Sequence, residues 1–190
     1  GNVTDMSYLF YRQWTFDGLM NGGISSWDVS KVTNMNGMFL RASSFNGDLS
    51  KWNVSSVTDM EHMFKSATSF NRVLSSWDIS SAAKMQEMFK GATSFNKNLC
   101  EWGDRNKNNF QKGAAYGMFS GSCCTYQDDP QFDPQKAIIG PLCASDCGVT
   151  TAQNNTSNLD YCKSSATSQS FATSSIILFV GGFFALKDLL

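Results

Sequence analysis

A repeat with a period of 25 residues constrains this chain more than any other feature. Four tryptophans share the spacing, and so do one column of methionines and two of phenylalanines: Trp27, Trp52, Trp77 and Trp102; Met35, Met60 and Met85; Phe39, Phe64 and Phe89; Phe45, Phe70 and Phe95. Leucine and asparagine columns follow the same period. So many coincident columns indicate a repeat protein, in which each unit packs against its neighbours.

Within one unit, the spacing of the apolar residues changes from helix-like to strand-like. The helix-like stretch of the third unit is Val57, Met60, Met63, Phe64 and Ala67. Its i, i+3, i+7 pattern predicts an amphipathic helix of about three turns. Trp52 and Val54 alternate with polar neighbours, which predicts a brief strand. Elements this short can bury their apolar sides only against the same elements of the next unit.

The fold class predicted from these elements is an α/β repeat. It is a leucine-rich-repeat-like solenoid with one short strand and one short helix per 25-residue coil, closed by a Cys-rich C-terminal cap. Parallel pairing of the strands would place successive coils roughly 4.8 Å apart. The predicted regions are the repeat solenoid at 1–102, a degenerate last coil and Cys-rich cap at 103–147, a Ser/Thr/Asn-rich stalk at 148–170 and a hydrophobic segment at 171–190.

The unit W-[DN]-[VI]-S, followed by M-x-x-M-F, A-[ST]-S-F-N and L, recurs without gaps from Trp27 to Leu99. In these columns the chain resembles the BspA-type leucine-rich-repeat-like surface proteins, a family first set apart as a domain of unknown function in mycoplasmal lipoproteins. The resemblance covers roughly Val3 to Leu99. It implies a surface-exposed adhesion or interaction scaffold with no established enzymatic activity. No site residues carry over from it, because the matching columns are structural.

Two polar columns predict structure rather than chemistry: Asn46, Asn71 and Asn96, and Asp28, Asn53 and Asp78. The asparagine column is expected to form an internal ladder whose amides bond turn backbone. The second column is expected to supply turn or cap residues. It is not a continuous row of carboxylates, because Asn53 carries an amide.

Two further polar features are predicted to lie on the outside. His62 is the only histidine, and the adjacent units carry Gly37 and Glu87 at its position, which favours a solvated helix position over a base or a ligand. The second feature is a set of paired hydroxyls: Ser43 and Ser44, Thr68 and Ser69, and Thr93 and Ser94. Such a row could order water or bind glycans, although ordinary turn capping also explains it.

The first unit is irregular, with four extra residues between Phe10 and Trp27. The extra stretch contains Trp14, Phe16 and Met20. These side chains either cover the open end of the stack or form a loop whose exposed aromatics anchor a partner. Because Val3 enters the pattern in mid-unit, we expect a signal peptide and further repeats upstream.

The repeat degenerates after Trp102, where all three prolines and most of the six cysteines are found. The cysteines are Cys100, Cys123, Cys124, Cys143, Cys147 and Cys162. They allow three disulfides, and the sequence leaves the pairing open. Cys-Cys and Cys-x3-Cys differ from the C-x2-C spacing of zinc ligands, so disulfides in an oxidising compartment are predicted rather than a metal site.

The C-terminal region is predicted to attach the protein to a membrane. Residues 148–170 are polar enough to form a flexible stalk. The 16 uncharged residues at 171–186 suit a minimal transmembrane helix or a cleaved lipid-anchor signal, with soluble packing as a third reading. The predicted location is therefore the extracellular face of the plasma membrane. Candidate glycosylation sites at Asn2, Asn53, Asn154 and Asn155 fit a secretory route.

Composition and motifs narrow the function. Lys and Arg number 15 against 16 Asp and Glu, so no strong field attracts nucleic acid. The sequence contains no nucleophile with a base partner, metal-ligand spacing or phosphate loop, so no catalytic site, cofactor or metal is predicted. The predicted function is a non-enzymatic cell-surface scaffold that presents a solenoid face to an unknown protein or glycan. The alternatives are a purely structural wall or coat protein and a glycan-active enzyme.

Overall fold

The computed structural model describes residues 3–17, 23–105, 110, 114–133, 138–140 and 142–143. Its elements in chain order are a 3-10 helix (Ile24–Ser26), an α-helix α1 (Cys100–Arg105) and two strands, β1 (Gln131–Asp133) and β2 (Ile138–Gly140). β1 and β2 pair antiparallel, with Phe132 opposite Ile139. The predicted stalk and C-terminal hydrophobic segment lie outside the described residues.

Successive repeats lie side by side and are joined by a parallel ladder with one bridge per unit. Asn34 pairs with Asp5 of the first unit and with Asp59 of the third, and Asp59 pairs with Lys84 of the fourth. The threonine hydroxyls show the spacing: Thr33 Oγ1 donates to the Thr4 carbonyl, 29 positions earlier, across the irregular first unit, and Thr58 Oγ1 donates to the Thr33 carbonyl, 25 positions earlier. The sequence period is therefore the period of contact in space.

The helix predicted for each regular unit is absent from the described residues; in the third unit, residues 61–66 form turns. Alternate backbone N–H groups donate to carbonyls of the next unit: Met60 to Lys84 at 2.9 Å, His62 to Gln86 at 3.0 Å and Phe64 to Met88 at 2.9 Å. The N–H groups between them donate three residues back: Met63 to Met60 at 3.2 Å, Lys65 to His62 at 3.1 Å and Ala67 to Phe64 at 3.0 Å. An α-helix would instead bond each residue to the one four positions earlier. Here half of the hydrogen bonds are made between units.

These turns require a left-handed backbone conformation at two positions of each unit. The first set is Tyr8 (φ 56°), Gly37 (58°), His62 (60°), Glu87 (53°) and Gly117 (64°). The second set is Arg12 (57°), Arg41 (60°), Ser66 (58°), Gly91 (69°) and Gly121 (68°). A positive φ at the third residue of a four-residue turn is typical of a type II turn. Because such turns return the chain to the core every three or four residues, their apolar spacing resembles that of a helix.

The strand predicted at Trp52 and Val54 is also absent, although the alternation of burial is present. Both side chains are buried, and Asn53 between them is exposed. Asn53 Oδ1 accepts the N–H of Ser55 at 3.2 Å, and the Val57 N–H donates to the Val54 carbonyl at 2.9 Å. A side chain that bonds local backbone in this way competes with strand pairing. The bridges between units therefore fall on the column of Asn34, Asp59 and Lys84 instead.

The core is built from two columns of stacked phenylalanine rings. In the first column, Phe64 lies between Phe39 and Phe89, with ring centroids 5.5 Å away on each side. In the second, Phe45 and Phe70 stack at 5.7 Å. The two columns also touch within a unit, because the rings of Phe39 and Phe45 lie 3.9 Å apart. Each buried ring contributes on the order of 1.5–3 kcal/mol, so the stack is stabilised along its whole length.

Beyond the fourth unit, one more turn segment at residues 114–121 continues the ladder. After it, β2 packs against α1, and a disulfide joins Cys124 to Cys143. Cys143 also makes antiparallel bridges to Asn98 and Tyr126. At Gly103 of α1, an added Cβ would lie 2.9 Å from the Ile139 carbonyl oxygen, so only glycine allows this close approach. These contacts tie the C-terminal segment to the last regular unit.

The remaining predicted disulfide residues are only partly described. Cys100 and Cys123 are disulfide-bonded, and the described residues contain no free cysteine. Cys147 and Cys162 lie outside the described residues. Of the three disulfides that the six cysteines allow, the one between Cys124 and Cys143 is assigned.

Candidate binding face

The outward residues of the M-x-x-M-F segments form one continuous surface, which we call the ladder face. Its five columns are Asp5, Asn34, Asp59 and Lys84; Ser7, Asn36, Glu61, Gln86 and Tyr116; Tyr8, Gly37, His62, Glu87 and Gly117; Tyr11, Leu40, Lys65, Lys90 and Ser120; and Arg12, Arg41, Ser66, Gly91 and Gly121. All are exposed or half-buried except Gly37, which lies under the Tyr8 ring. Along each turn segment, N–H groups that donate to the next unit alternate with N–H groups that donate three residues back. This pattern repeats in each unit and so aligns equivalent residues in columns.

The ladder face changes from unit to unit, whereas the core beneath it does not. Met60 has methionine at the same position in the units before and after it, and all three side chains are fully buried. Two residues further along, the outward position holds Gly37, His62 or Glu87. Core packing dictates the side chain at the first position but not at the second. A constant scaffold with variable outward positions is typical of repeat proteins that bind partners.

Glu87 is the centre of a charged cluster on the ladder face. Its carboxylate lies 2.5 Å from Lys65 Nζ, 2.6 Å from Lys90 Nζ and 3.3 Å from His62 Nε2. Hydrogen bonds from Lys65 and Lys90 lower the pKa of Glu87 from 4.5 to about 2. So acidic a carboxyl group is a poor general base at neutral pH. The cluster therefore suits electrostatic recognition better than proton transfer.

His62 does not occupy the helix position that was predicted for it. It lies at the left-handed position of a turn, and its side chain is half-buried. Its Nε2 contacts the carboxylate of Glu87 in the next unit, and Glu61 Oε1 lies 3.9 Å away. The side chain is thus held between two carboxylates on the ladder face.

A second polar network joins side chains across the first four units. Asp59 accepts a hydrogen bond from Lys84 Nζ at 3.0 Å, and this contact raises the pKa of Lys84. Asn36 Nδ2 donates to Asp59 and to Glu61 at 3.4 Å, and Asn34 Nδ2 donates to Asp5 at 3.0 Å. Exposed pairs of this kind contribute only about 0–1 kcal/mol each. Their main effect is to fix the positions of these side chains.

Aromatic residues extend the ladder face at its N-terminal end. Tyr8 and Tyr11 are 49% and 37% exposed, and their rings meet edge to face at 6.0 Å. The Arg12 guanidinium lies 5.1 Å from the centre of the Tyr11 ring. Exposed tyrosine beside arginine is a combination enriched at the energetic centres of protein interfaces.

In the extra stretch of the first unit, one aromatic side chain packs on the core and another is exposed. Phe16 stacks on Phe10 at 4.2 Å and on Phe45 at 5.7 Å, so it covers the core. Trp14 is 63% exposed and available to a partner. Met20 lies outside the described residues.

The asparagine column links neighbouring units through side-chain oxygens. Asn46 Oδ1 accepts the backbone N–H of Asn71 at 3.0 Å, and Asn71 Oδ1 accepts that of Asn96 at 3.1 Å. The column of Asp28, Asn53 and Asp78 acts within the unit instead, because each side chain accepts the N–H two residues later at 3.0–3.2 Å. Both columns thus bond backbone.

The tryptophan column also bonds backbone. The indole N–H groups of Trp52, Trp77 and Trp102 each donate at 2.9 Å, to the carbonyls of Ile24, Leu49 and Leu74 respectively. The rings of Trp77 and Trp102 are nearly parallel, with centroids 6.4 Å apart. Trp27 differs from the other three because it is 39% exposed.

One hydroxyl of the predicted row bonds the neighbouring unit, because Thr68 Oγ1 donates to the Ser43 carbonyl at 3.2 Å.

Among the glycosylation candidates, Asn53 is exposed in its turn. Asn2, Asn154 and Asn155 lie outside the described residues.

The described residues contain no group of three or more His, Cys, Asp or Glu side chains placed to hold a metal ion. No helix within them is long and apolar enough to cross a membrane.

The left-handed turn positions are the functional feature that the sequence analysis missed. Gly37 and Gly91 stand inside the predicted helices, and glycine there is a recognised sign of a turn. In the third unit the same positions hold His62 and Ser66, so no glycine there indicates a turn. The shape of the ladder face depends on these turns.

The fold and the ladder face define a class of protein: a repeat protein of stacked units with a constant core and a variable outer surface. Comparison with protein families matches residues 1–102 to the family described as "Mycoplasma protein of unknown function, DUF285". The chain belongs to this family. Searches of curated proteins and of solved structures found no match.

Proposed function

We propose that the chain is a non-enzymatic scaffold that binds a protein or glycan partner through its ladder face. In this proposal it is a leucine-rich-repeat-like solenoid of the BspA type, exposed at a cell surface and attached through its C-terminal segment. The Cys124–Cys143 disulfide supports an oxidising location. The family match over residues 1–102 is consistent with the proposal but carries no activity of its own.

The observation that carries the proposal is the contrast between buried and outward positions in the same backbone segment. Met60, Met63 and Phe64 repeat in each neighbouring unit and are fully buried. The residues between them differ and, apart from Gly37, remain accessible. Hydrogen bonds to both neighbours hold the backbone of every middle unit, so the outward side chains start from a fixed frame. Such preorganisation reduces the entropy lost on binding.

The chemistry of the ladder face favours a polar partner with exposed charges or hydroxyls. Its middle carries the cluster around Glu87 and the Asp59–Lys84 pair. Its ends carry exposed tyrosines, Tyr8 at one end and Tyr116, 67% exposed, at the other. Tyrosine supplies a large apolar ring with a hydrogen-bonding hydroxyl, which suits both protein surfaces and sugar rings.

A binding screen with matched variants tests the proposal. The chain is applied to immobilised glycans, extracellular-matrix proteins and intact cells. We expect saturable binding that Tyr8→Ala, Lys84→Ala and Tyr116→Ala together weaken by about 30-fold or more, the size of a typical hot-spot loss. The control combines Lys51→Ala with Val73→Ala, two exposed residues outside the ladder face. The control should bind as the parent does.

Two results would contradict the proposal. Equal loss in both variants would place binding elsewhere on the molecule. Absence of binding across the whole screen would favour a purely structural wall or coat protein. Hydrolysis of any glycan in the screen would instead support the enzymatic alternative.

A further inference from the structure

The charges of the ladder face are separated by sign between its two edges. The carboxylates of Asp5, Asp59 and Glu61 belong to the first two columns, and Lys84 there is paired with Asp59 at 3.0 Å. The fourth and fifth columns contain no Asp or Glu. Instead, each of four successive units places one cation in them, and we call these four residues the basic row: Arg12, Arg41, Lys65 and Lys90. The row does not show in the net charge, because 15 Lys and Arg balance 16 Asp and Glu over the whole chain.

Backbone hydrogen bonds join the segments that carry the basic row. The N–H of Arg12 donates to the Leu40 carbonyl at 2.9 Å, and the N–H of Arg41 donates to the Lys65 carbonyl at 2.8 Å. The N–H of Ser66, next to Lys65, donates to the Lys90 carbonyl at 2.8 Å. In the core of the same units, the rings of the first phenylalanine column follow one another at 5.3–5.5 Å. The cations are therefore carried one per unit, on a fixed backbone with a regular spacing.

The two arginines of the basic row have no acidic partner. Arg12 and Arg41 are exposed, and neither forms an ion pair with a described residue. The Arg12 guanidinium lies 5.1 Å from the centre of the Tyr11 ring, which is 37% exposed. A guanidinium binds sulfate and carboxylate groups through paired N–H donors. The exposed ring beside it offers an apolar face on which a sugar can stack.

The two lysines of the basic row keep donors for a ligand although they share Glu87. Lys65 Nζ lies 2.5 Å and Lys90 Nζ lies 2.6 Å from the Glu87 carboxylate. The Glu87 side chain is 17% exposed, against 31% and 43% for the lysine side chains, so the carboxylate lies deeper than the chains that it binds. Each ammonium group has three donors and uses one of them on Glu87. One carboxylate thus fixes two cations side by side, and the row remains positive with Glu87 included.

We propose that the basic row binds a linear anionic glycan, a polysaccharide that carries sulfate or carboxylate groups, laid along the direction of the stack. The inference rests on the proposed function, for which it names the class of ligand. A linear glycan can place one anionic group against each unit, because the length of one sugar ring is comparable to the spacing between units. The hydroxyl pairs that begin at Ser43, Thr68 and Thr93 follow the fifth column in the chain after one buried alanine. They are exposed or half-buried and can bond sugar hydroxyls or sulfate oxygens.

Other polyanions match the basic row less well. Side chains on one face of an extended peptide recur about 6.7 Å apart, which exceeds the 5.3–5.5 Å between units and loses register over four of them. Phosphates along one DNA strand follow at about 3.4 Å, which is too close. An anionic membrane is flat, so a membrane that covered the whole face would also meet Asp5, Asp59 and Glu61, which repel it. A narrow chain reaches the row without approaching these carboxylates.

Binding of the full chain to immobilised heparin, a linear sulfated glycan, tests the inference. Fully desulfated heparin, poly-glutamate, single-stranded DNA and phosphatidylserine vesicles are the comparison ligands. We expect saturable binding to heparin that Arg12→Gly with Arg41→Gly weakens by about tenfold or more. The same variant should reduce the slope of log affinity against log salt concentration by about 1–2. Glycine suits these left-handed positions, which Gly91 and Gly121 occupy in later units, so the variant keeps the turns.

A gain and a matched control complete the experiment. Glu87→Gln removes the charge that Lys65 and Lys90 share, so it should tighten heparin binding by about threefold or more. Lys31→Ala with Lys51→Ala removes two exposed cations outside the ladder face and should bind as the parent does.

Several results would overturn the inference. These are absence of heparin binding at low salt, equal loss in the arginine variant and the lysine control, and weaker binding by Glu87→Gln. Undiminished binding to desulfated heparin would remove the requirement for anionic groups. Tighter binding to poly-glutamate, DNA or vesicles would assign the row to a peptide, a nucleic acid or a membrane. Binding of a protein or neutral glycan that only the variant with Tyr8→Ala, Lys84→Ala and Tyr116→Ala weakens would overturn the inference and leave the proposed function in place.

Discussion

The regular units and the C-terminal segment are held together in different ways. Between residues 32 and 99, the second and third units bond their backbone to residues 24 positions further along the chain, and the phenylalanines stack on identical neighbours. After Cys100, one more turn segment at residues 114–121 continues the ladder, and α1, a hairpin and a disulfide between residues 19 positions apart complete this region. Repetition supplies each middle unit with a complementary neighbour on both sides. Beyond the last turn segment, a covalent bond joins Cys124 to Cys143.

The largest expected effect comes from removing one ring of the core. Phe64 stacks on rings of both neighbouring units, so Phe64→Ala should lower the free energy of unfolding by about 3–5 kcal/mol. Urea denaturation followed by tryptophan fluorescence measures the change. Tyr116→Ala, at an exposed site, is the control and should change stability by less than about 0.5 kcal/mol. Similar losses in both variants would remove the distinction between core and outward columns.

The second effect separates the two regions directly. Replacing Cys124 and Cys143 together by alanine should destabilise the C-terminal segment by about 3 kcal/mol, given the length of the loop that the disulfide closes. Hydrogen exchange should accelerate in residues 124–143, while Phe64 and Met60 keep their protection, because repeat units contact mainly their neighbours. Equal acceleration in both regions would show that the disulfide supports the whole stack.

The asparagine ladder should have an intermediate effect. Asn71→Ala removes the acceptor of the Asn96 N–H and should cost about 1–2 kcal/mol. Asn71→Asp keeps an oxygen at this position and should lose less. Thermal unfolding of the two variants provides the comparison. If both lose the same amount, the hydrogen bond is not what the column contributes.

Acid should weaken the charged cluster on the ladder face. The pKa of Glu87 is lowered from 4.5 to about 2 in the folded protein, so its contribution is present above about pH 4.5 and is lost as the pH falls toward 2. Glu87→Gln should flatten this part of the stability curve by up to about 1 kcal/mol, since the lysine partners are partly exposed. The midpoint of urea unfolding, measured between pH 5 and 2, reports this pH dependence. Glu61→Gln serves as the control. An equally flattened stability curve for Glu61→Gln would contradict the assignment of the effect to Glu87.

The smallest expected effect is a gain. Ser66 holds a φ of 58°, where glycine is unstrained, so Ser66→Gly should stabilise the protein by about 0.5 kcal/mol after the entropy cost of glycine. Ser69→Gly, which has no left-handed φ to relieve, should destabilise it. Differential scanning calorimetry distinguishes the two signs. A loss of stability in both would contradict the assigned turn geometry.

The sequence predicted which residues are buried better than it predicted the backbone that buries them. Met60, Met63, Phe64 and Ala67 are all fully buried, as the i, i+3, i+7 spacing requires. The same spacing arises from consecutive tight turns, so it could not separate a helix from turns that bond the neighbouring unit. The decisive angles are at His62 and Ser66, whose side chains give no sign of a positive φ. The outward columns could be located only once these turns were known.

The cysteines show the same limit at the C-terminal end. Six cysteines and a lost repeat were enough to predict disulfides and a change of architecture after Trp102. The pairing of Cys124 with Cys143 depends on the bridge between Cys143 and Asn98. No sequence pattern predicts that bridge. Long-range contacts of this kind follow from the assembled stack rather than from any local pattern.

Hydrogen bonding of the Phe64 amide tests the central claim most directly. Scalar coupling across hydrogen bonds, measured by NMR, identifies the carbonyl that accepts each N–H. The account predicts coupling from the Phe64 nitrogen to the Met88 carbonyl carbon in the next unit, matching the 2.9 Å bond between them. Coupling to the Met60 carbonyl, four residues earlier, would mean that the segment is an α-helix and would contradict the account.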